Sequence, residues 1–266
     1  MASTEGERGV NILEVMRRDW DERARRDALR YIATWRQDWD PASFFASGEE
    51  DYQRFVEAVF ARWLWEPQGK AMLELGCGAG RMTHSFAQRF ARVYACDISP
   101  QMLERAKALL PDAANINWLQ GDGKLLAGVE SASVDFIFSY IVLQHLPTAA
   151  LIFQYVCEML RVLKPQGAFL FQFNSTRTPT MNRTGRLAWG VVDAMWTLRL
   201  NRASRALAAW MGFDPAMAGK SWRGASVEVG RMREALQSAG GILQEVTGAD
   251  TPMTWFWGRK ALGSVR

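Results

Sequence analysis

Glu74, Gly76, Gly78 and Gly80 crowd into one short stretch, "MLELGCGAGRMT", and Asp97 ends the next apolar run, "RVYACDIS". Glycines are used where a chain takes positive φ or lets a ligand touch main chain. Between a strand and a helix, such a turn also offers N–H groups near a helix N-terminus. The neighbouring residues separate this turn from a pyrophosphate site. The dinucleotide fingerprint G-x-G-x-x-G would have arginine, Arg81, at its third glycine position. Glu74, just ahead of the turn, would repel a pyrophosphate but could serve a cationic ligand. A carboxylate at the end of the second strand, as Asp97 is, can accept both hydroxyls of an adenosine ribose. The alternative for Asp97 taken alone is an exposed loop acid or a helix cap, but its position and the glycine turn agree on the ligand-binding reading.

These residues need a sheet to hold them, and the pattern from residue 71 onward supplies one. Short apolar runs ("AMLEL", "RVYACDIS", "INWLQGD", "VDFIFSY", "GAFLFQFN") alternate with helical stretches ("GRMTHSFAQRFA", "PQMLERAKALL", "AALIFQYVCEMLRVL"). The turn "KPQG" leads into the fifth run. Nearly continuous apolar strands alternating with helices predict a doubly wound, mostly parallel α/β sheet covered on both faces. "VEVGRMREALQSAGG" then reads as a helix, and "ILQEVTGA" and "MTWFWGRKA" as two strands too close together for a crossover. The seventh strand is therefore expected to run antiparallel.

Four regions divide the single domain: an N-terminal helical cap (1–68), a ligand-binding core (69–174), a helical lid insertion (175–225) and a C-terminal helix with its strand pair (226–266). In the cap, apolar residues at helical spacing predict a helix over 11–38, broken at Pro41. "EEDYQRFVEAVFARWLW" predicts a second helix. The lid is read as two helices, around Arg186–Leu200 and Arg202–Met211.

Composition excludes several classes. At 266 residues, 48% hydrophobic and 23% charged, the chain suits a soluble globular domain. The opening "MASTEGERGV" has no apolar core of a secretory signal. The uncharged run Phe136–Cys157 is interrupted by Gln144, His145 and Pro147, which favours a strand, a loop and a helix over a membrane span. Three cysteines without CxxC spacing read as free thiols of a reducing compartment, so a cytoplasmic protein is expected. Two histidines and no Cys/His cluster point away from a metal site. A net charge of +4 permits an acidic partner without requiring one.

Residues 71–174 resemble the class I S-adenosylmethionine-dependent methyltransferases, whose E/D-x-G-x-G-x-G motif "LELGCGAGRMT" matches. The resemblance implies S-adenosylmethionine as cofactor, with Glu74, Gly76, Cys77 and Gly78 at its methionine end. It implies Asp97 on the ribose and Ile98 and Met102 against adenine. "LQGDG" resembles the family segment whose acid meets the adenine amino group, here Asp122 with Gly123 beside it. "VDFIFSYIVLQHLP" resembles the fourth strand and its loop, which places Ser139 and Tyr140 under the cofactor. Gln144 departs from relatives that carry glutamate there to anchor an anion or metal.

Methyl transfer from a sulfonium is an in-line displacement that depends on alignment. A hydroxyl or ammonium acceptor also needs a base, and His145 is the better placed of the two histidines for that role. A packing role for His145 and the family's "LQHL" remains the alternative. The acceptor is expected to be a small aromatic or lipid-like molecule, methylated on oxygen or nitrogen. Residues 175–225 mix arginines (Arg177, Arg183, Arg186, Arg199, Arg202, Arg205, Arg223) with Trp189, Trp196, Trp210 and Trp222. They read either as a lid over such a molecule or as an amphipathic helix pair with a basic solvated face. Trp20, Tyr31 and Trp35 of the cap would line the same pocket. RNA is an alternative acceptor within the fold, although no separate RNA-binding module is visible. A nucleotide-binding oxidoreductase is the alternative outside it. Oligomeric state has no sequence signal.

Overall fold

The structure is a computed structural model that describes residues 11–176, 187, 190–192, 194–195, 200–211 and 224–263. Asn11 accepts the Leu13 N–H and opens α1 (Ile12–Ile32). α1 kinks at Asp27, whose φ of −168° is not helical and whose carboxylate accepts the Arg30 N–H to restart the helix. It ends at Ile32, short of the residue 38 that apolar spacing predicts, where the Trp39 indole N–H donates to the Ala33 carbonyl. Pro41 does not close this helix but opens the next, α2 (Pro41–Asp51), with Asp40 as its cap. The missing proline N–H costs nothing at a first helical position. The chain then runs through a π-helical segment, Tyr52–Glu57, into α3 (Ala58–Trp63).

Seven strands come next: β1 (Ala71–Leu75), β2 (Arg92–Asp97), β3 (Ile116–Gln120), β4 (Val134–Ser139), β5 (Leu163–Phe173), β6 (Gly241–Thr247) and β7 (Thr254–Lys260). They form one sheet in the order β3-β2-β1-β4-β5-β7-β6. β1 to β5 pair in parallel, and β7 runs antiparallel between β5 and β6, as the short connection requires. β5 begins before the expected "KPQG" turn. Val134 already pairs with Leu163, and the register then jumps to Phe136 with Ala168, so the turn is a bulge inside the strand.

The helices between strands are α4 (Thr83–Ala87), α5 (Pro100–Leu109), α6 (Ala149–Val162), α7 (Asn201–Trp210) and α8 (Val229–Ser238). α4 is much shorter than the stretch Gly80–Ala91 suggests. Ser99 and Thr148 cap α5 and α6 through the N–H groups of Met102 and Leu151. α7 matches the second expected lid helix. The first falls largely outside the described residues, as do Trp189, Trp196, Trp222, Arg177, Arg183, Arg186, Arg199 and Arg223.

Alternation along β4 sends Ile137 to one face of the sheet and Phe136 and Phe138 to the other. Ile137 joins Phe169, Phe171 and Phe256 beneath α6 and α8. Phe136 and Phe138 join Phe60, Phe86, Phe90 and Trp257 beneath α3 and the π segment. Each buried phenylalanine contributes roughly 1.5–3 kcal/mol. α1 lies over the carboxyl ends of the strands, with Leu13 and Met16 in the first cluster and Ala28 and Leu29 packed on Ala79 and Met102. Among the described residues no helix is long and apolar enough to cross a membrane.

Candidate functional site

Leu75 pairs with Cys96 on one side and Ser139 on the other, so β1, β2 and β4 end level with one another. Strand order reverses between β1 and β4, and the crevice at such a reversal is where doubly wound sheets bind ligands. The glycine turn stands there. Gly76 has φ 77°, and a Cβ on it would lie 2.1 Å from Val142 Cγ2. Gly78 has φ 54°, and a Cβ on it would lie 2.4 Å from Ile32 Cδ1. The N–H groups of the turn face inward: Gly76 and Cys77 donate to the Cys96 carbonyl at 2.7 and 3.0 Å. Gly78 donates to Asp97 Oδ2 at 2.9 Å. These glycines therefore serve conformation and close packing, and present no nest of donors to an anion.

Asp97 spans the turn and the start of α5, accepting from Gly78 with one oxygen and from the Ser99 N–H with the other. It keeps some surface toward the crevice, yet its surroundings are desolvated enough to raise its pKa to about 6. Burial raises Glu74 to about 7, against the pull of the Thr83 hydroxyl, which donates to it at 2.6 Å, and of nearby Arg81. Arg81 itself is buried and held at 2.6 Å by Asp51 of α2 and by the Ser47 carbonyl. α1 is fastened over the site by Asp21, which accepts the Ser99 hydroxyl at 2.6 Å.

Two chambers meet in this crevice. The inner one, about 600 Å³ with its open mouth, is walled by Met16, Cys96, Asp97, Ile98, Val142 and Tyr155. The outer one, about 1000 Å³ with its mouth, is walled by Tyr31, Trp35, Glu74, Arg81, Tyr140 and Gln144. Trp20, Ile32, Gly76, Ile141 and His145 belong to both. His145 is buried, with its ring 5.4 Å from Trp20 in an edge-on contact.

The structure thus brings Glu74, Gly76, Cys77, Asp97, Ile98, Tyr140 and His145 to one crevice, with Gly78 tying Asp97 to the turn. Two of the other expected residues are turned away from it. Met102 is wholly buried against Ala79 and α1, and Ser139 donates to the Leu75 carbonyl inside the sheet. Asp122 is exposed, and its carboxylate accepts the N–H groups of Lys124 and Leu125. Gly123 lies against Leu13 and against Ile98 of the inner chamber's wall. Trp20, Tyr31 and Trp35 take the pocket-lining places expected of them. Trp210 of α7 is 83% exposed, whereas Arg205 on the same helix pairs with Asp19 and Glu22 of α1. Among the described residues no group of acids, histidines and cysteines could hold a metal ion.

A family model for a methyltransferase domain matches residues 73–171, which run from β1 into β5 and contain the turn, Asp97 and His145. This match and the relatives that follow support a class I S-adenosylmethionine-dependent methyltransferase. Similar methyltransferases include the trans-aconitate 2-methyltransferase of an Azoarcus species, 35% identical over 136 residues, half of each chain. The biotin biosynthesis bifunctional protein BioHC of Cellvibrio japonicus is 39% identical over 122 residues, 46% of this chain and 22% of that one. The chain spans half or less of the length of these two relatives. Among solved structures, magnesium protoporphyrin IX methyltransferase from Synechocystis PCC 6803 with bound SAM superposes with a TM-score of 0.59 at 14% identity. That superposition covers 96% of this chain and 100% of the other. At that identity the superposition speaks for the fold alone.

The site fits the methyltransferase cofactor. Asp97 is a desolvated carboxylate with lone pairs to spare for two hydroxyls, Ile98 and Met16 supply apolar walls beside it, and Glu74 stands one turn away as a partner for an ammonium group.

Proposed function

We propose that the protein transfers a methyl group from S-adenosylmethionine to an oxygen or nitrogen of a small molecule with an aromatic or apolar body. One observation carries this reading: the inner chamber with Asp97 shares Trp20, Ile32, Gly76, Ile141 and His145 with an outer chamber also walled by Tyr31, Trp35 and Tyr140. Asp97 accepts the ribose hydroxyls, Ile98 packs on the adenine, and Glu74 with the turn at Gly76 and Cys77 holds the methionine end. The bound cofactor supplies a methyl group already activated on a sulfonium. The chain's own residues supply alignment: α1 roofs the crevice, and the aromatic walls orient the acceptor and shed its water. His145, at the junction, takes the proton of a hydroxyl or ammonium acceptor.

The test is transfer of labelled methyl from S-adenosylmethionine to a panel of aromatic and aliphatic alcohols, acids and amines, with an RNA mixture alongside. Label in small aromatic acceptors is the expected result. Label in RNA alone, or in nothing although the cofactor binds, overturns the proposal.

A further inference from the structure

Gln172 is wholly buried in β5, and two backbone groups fix which way its amide points. The Ile141 N–H can only donate, and it meets Gln172 Oε1 at 3.0 Å. The Pro252 carbonyl can only accept, and it receives an N–H from Gln172 Nε2. The remaining N–H of that nitrogen reaches the side chain of Gln144 at 2.9 Å. A donor must meet an oxygen, so Gln144 turns its Oε1 toward Gln172. Its Nε2, with two N–H groups, is then the end presented to the outer chamber, whose wall Gln144 forms. Among the described residues no hydrogen bond uses that nitrogen. An unrestrained glutamine could present either end; this one cannot, because reversing it sets N–H against N–H.

The same clamp shapes the loop that joins β4 to His145. Ile141 sits at φ 55°, a conformation uncommon for a β-branched residue, and Gln172 receives its N–H there. Two other polar groups of the chamber wall already have partners: Glu74 takes the Thr83 hydroxyl, and Arg81 takes Asp51 and Ser47. Gln144 offers an oriented pair of donors that is not so committed.

We infer that the Gln144 amide donates a hydrogen bond to an oxygen of the methyl acceptor, and that Gln172 is the positioning residue that fixes it in the donor orientation. This rests on the methyltransferase reading and narrows it: the acceptor carries a carbonyl, carboxylate or hydroxyl oxygen beside its aromatic or apolar body. A compound lacking that oxygen strands the donors in a desolvated chamber and is rejected.

The test uses two probes of one shape, acetophenone and 2-phenylpropene, which differ only in C=O against C=CH2. Ligand-observed NMR measures their binding to the full chain saturated with S-adenosylhomocysteine, up to the solubility of each probe. Acetophenone should bind about three- to tenfold more tightly, the worth of one neutral hydrogen bond. Gln144→Glu keeps an oxygen toward Gln172 and replaces the donors with a second oxygen. It should erase or reverse the preference while leaving S-adenosylhomocysteine affinity unchanged. Gln172→Leu should weaken the preference by releasing Gln144, and if that variant does not fold, Gln144→Glu decides alone. Equal binding of the two probes, binding of neither, or a preference that survives Gln144→Glu overturns the inference. Failure of the wild-type chain to bind S-adenosylhomocysteine is a separate result, and it takes the methyltransferase reading down as well.

Discussion

Replacing Asp97 with asparagine removes a charge at constant size and disturbs both of the contacts that the carboxylate makes. In the wild type its two oxygens accept from Gly78 and Ser99, and each has a further lone pair for a ribose hydroxyl. Asparagine keeps one acceptor oxygen and sets an NH2 group against the other backbone N–H and the other hydroxyl. At least one charge-assisted hydrogen bond to the cofactor is lost, worth about 1.5–3 kcal/mol, or a roughly ten- to hundredfold rise in Kd. pH gives a second signature. Burial raises Asp97 to about 6 and Glu74 to about 7, above the ordinary carboxylate range. Between about pH 4 and 7 these two groups hold more protons in the folded chain than in the unfolded one, so their contribution to ligand-free stability falls as pH rises through that window. Cofactor affinity runs the opposite way, because hydroxyl and ammonium groups bind the ionised carboxylates. In the wild type it should climb as pH passes through about 6 and then 7, whereas in Asp97→Asn the climb near 6 disappears. Titration calorimetry at several pH values reads both effects. A Kd within about twofold of wild type, in a folded variant with an unchanged pH profile, would refute the assignment.

Gly76→Val should abolish cofactor binding and lower Tm, since the new Cβ falls on Val142 and φ is 77°; wild-type affinity by calorimetry would contradict this. Asp51→Asn leaves buried Arg81 without its ion-pair partner and should cost about 3 kcal/mol in chemical denaturation. A loss below about 0.5 kcal/mol would mean that the pair is solvated. Trp20→Ala removes a wall shared by both chambers and the ring packed on His145. It should raise acceptor KM about tenfold once an acceptor is in hand, and an unchanged KM would remove Trp20 from the acceptor site.

Much of the fold was legible because strands buried on both faces leave unbroken apolar runs, and β1, β2 and β4 lie close to where those runs fall. Misreadings came where local chemistry is ambiguous. Pro41 can end one helix or begin the next, and only the cap at Asp40 decides. The "KPQG" turn looks like the entry to β5, but it is bulged into a strand that pairing with Val134 has already begun. Glu74, the glycine turn and Asp97 stand out by their own spacing, and the structure gathers them at one crevice. Arg81 was visible as an oddity at the third glycine position, but its tie to Asp51 was not. Gln172 had no sequence signal, because its meaning depends on Ile141, Gln144 and Pro252, brought together from distant positions. Asp122 matches a motif, and one oxygen of its carboxylate also caps its own turn.

Cofactor selectivity tests the central claim most directly: titration calorimetry of the wild-type chain with S-adenosylmethionine and, separately, with NAD. A glycine turn whose N–H groups are spent on Cys96 and Asp97, with Glu74 alongside, has no place for a pyrophosphate. One S-adenosylmethionine should bind per chain, with no heat from NAD. Binding of NAD, or of neither molecule, would contradict it.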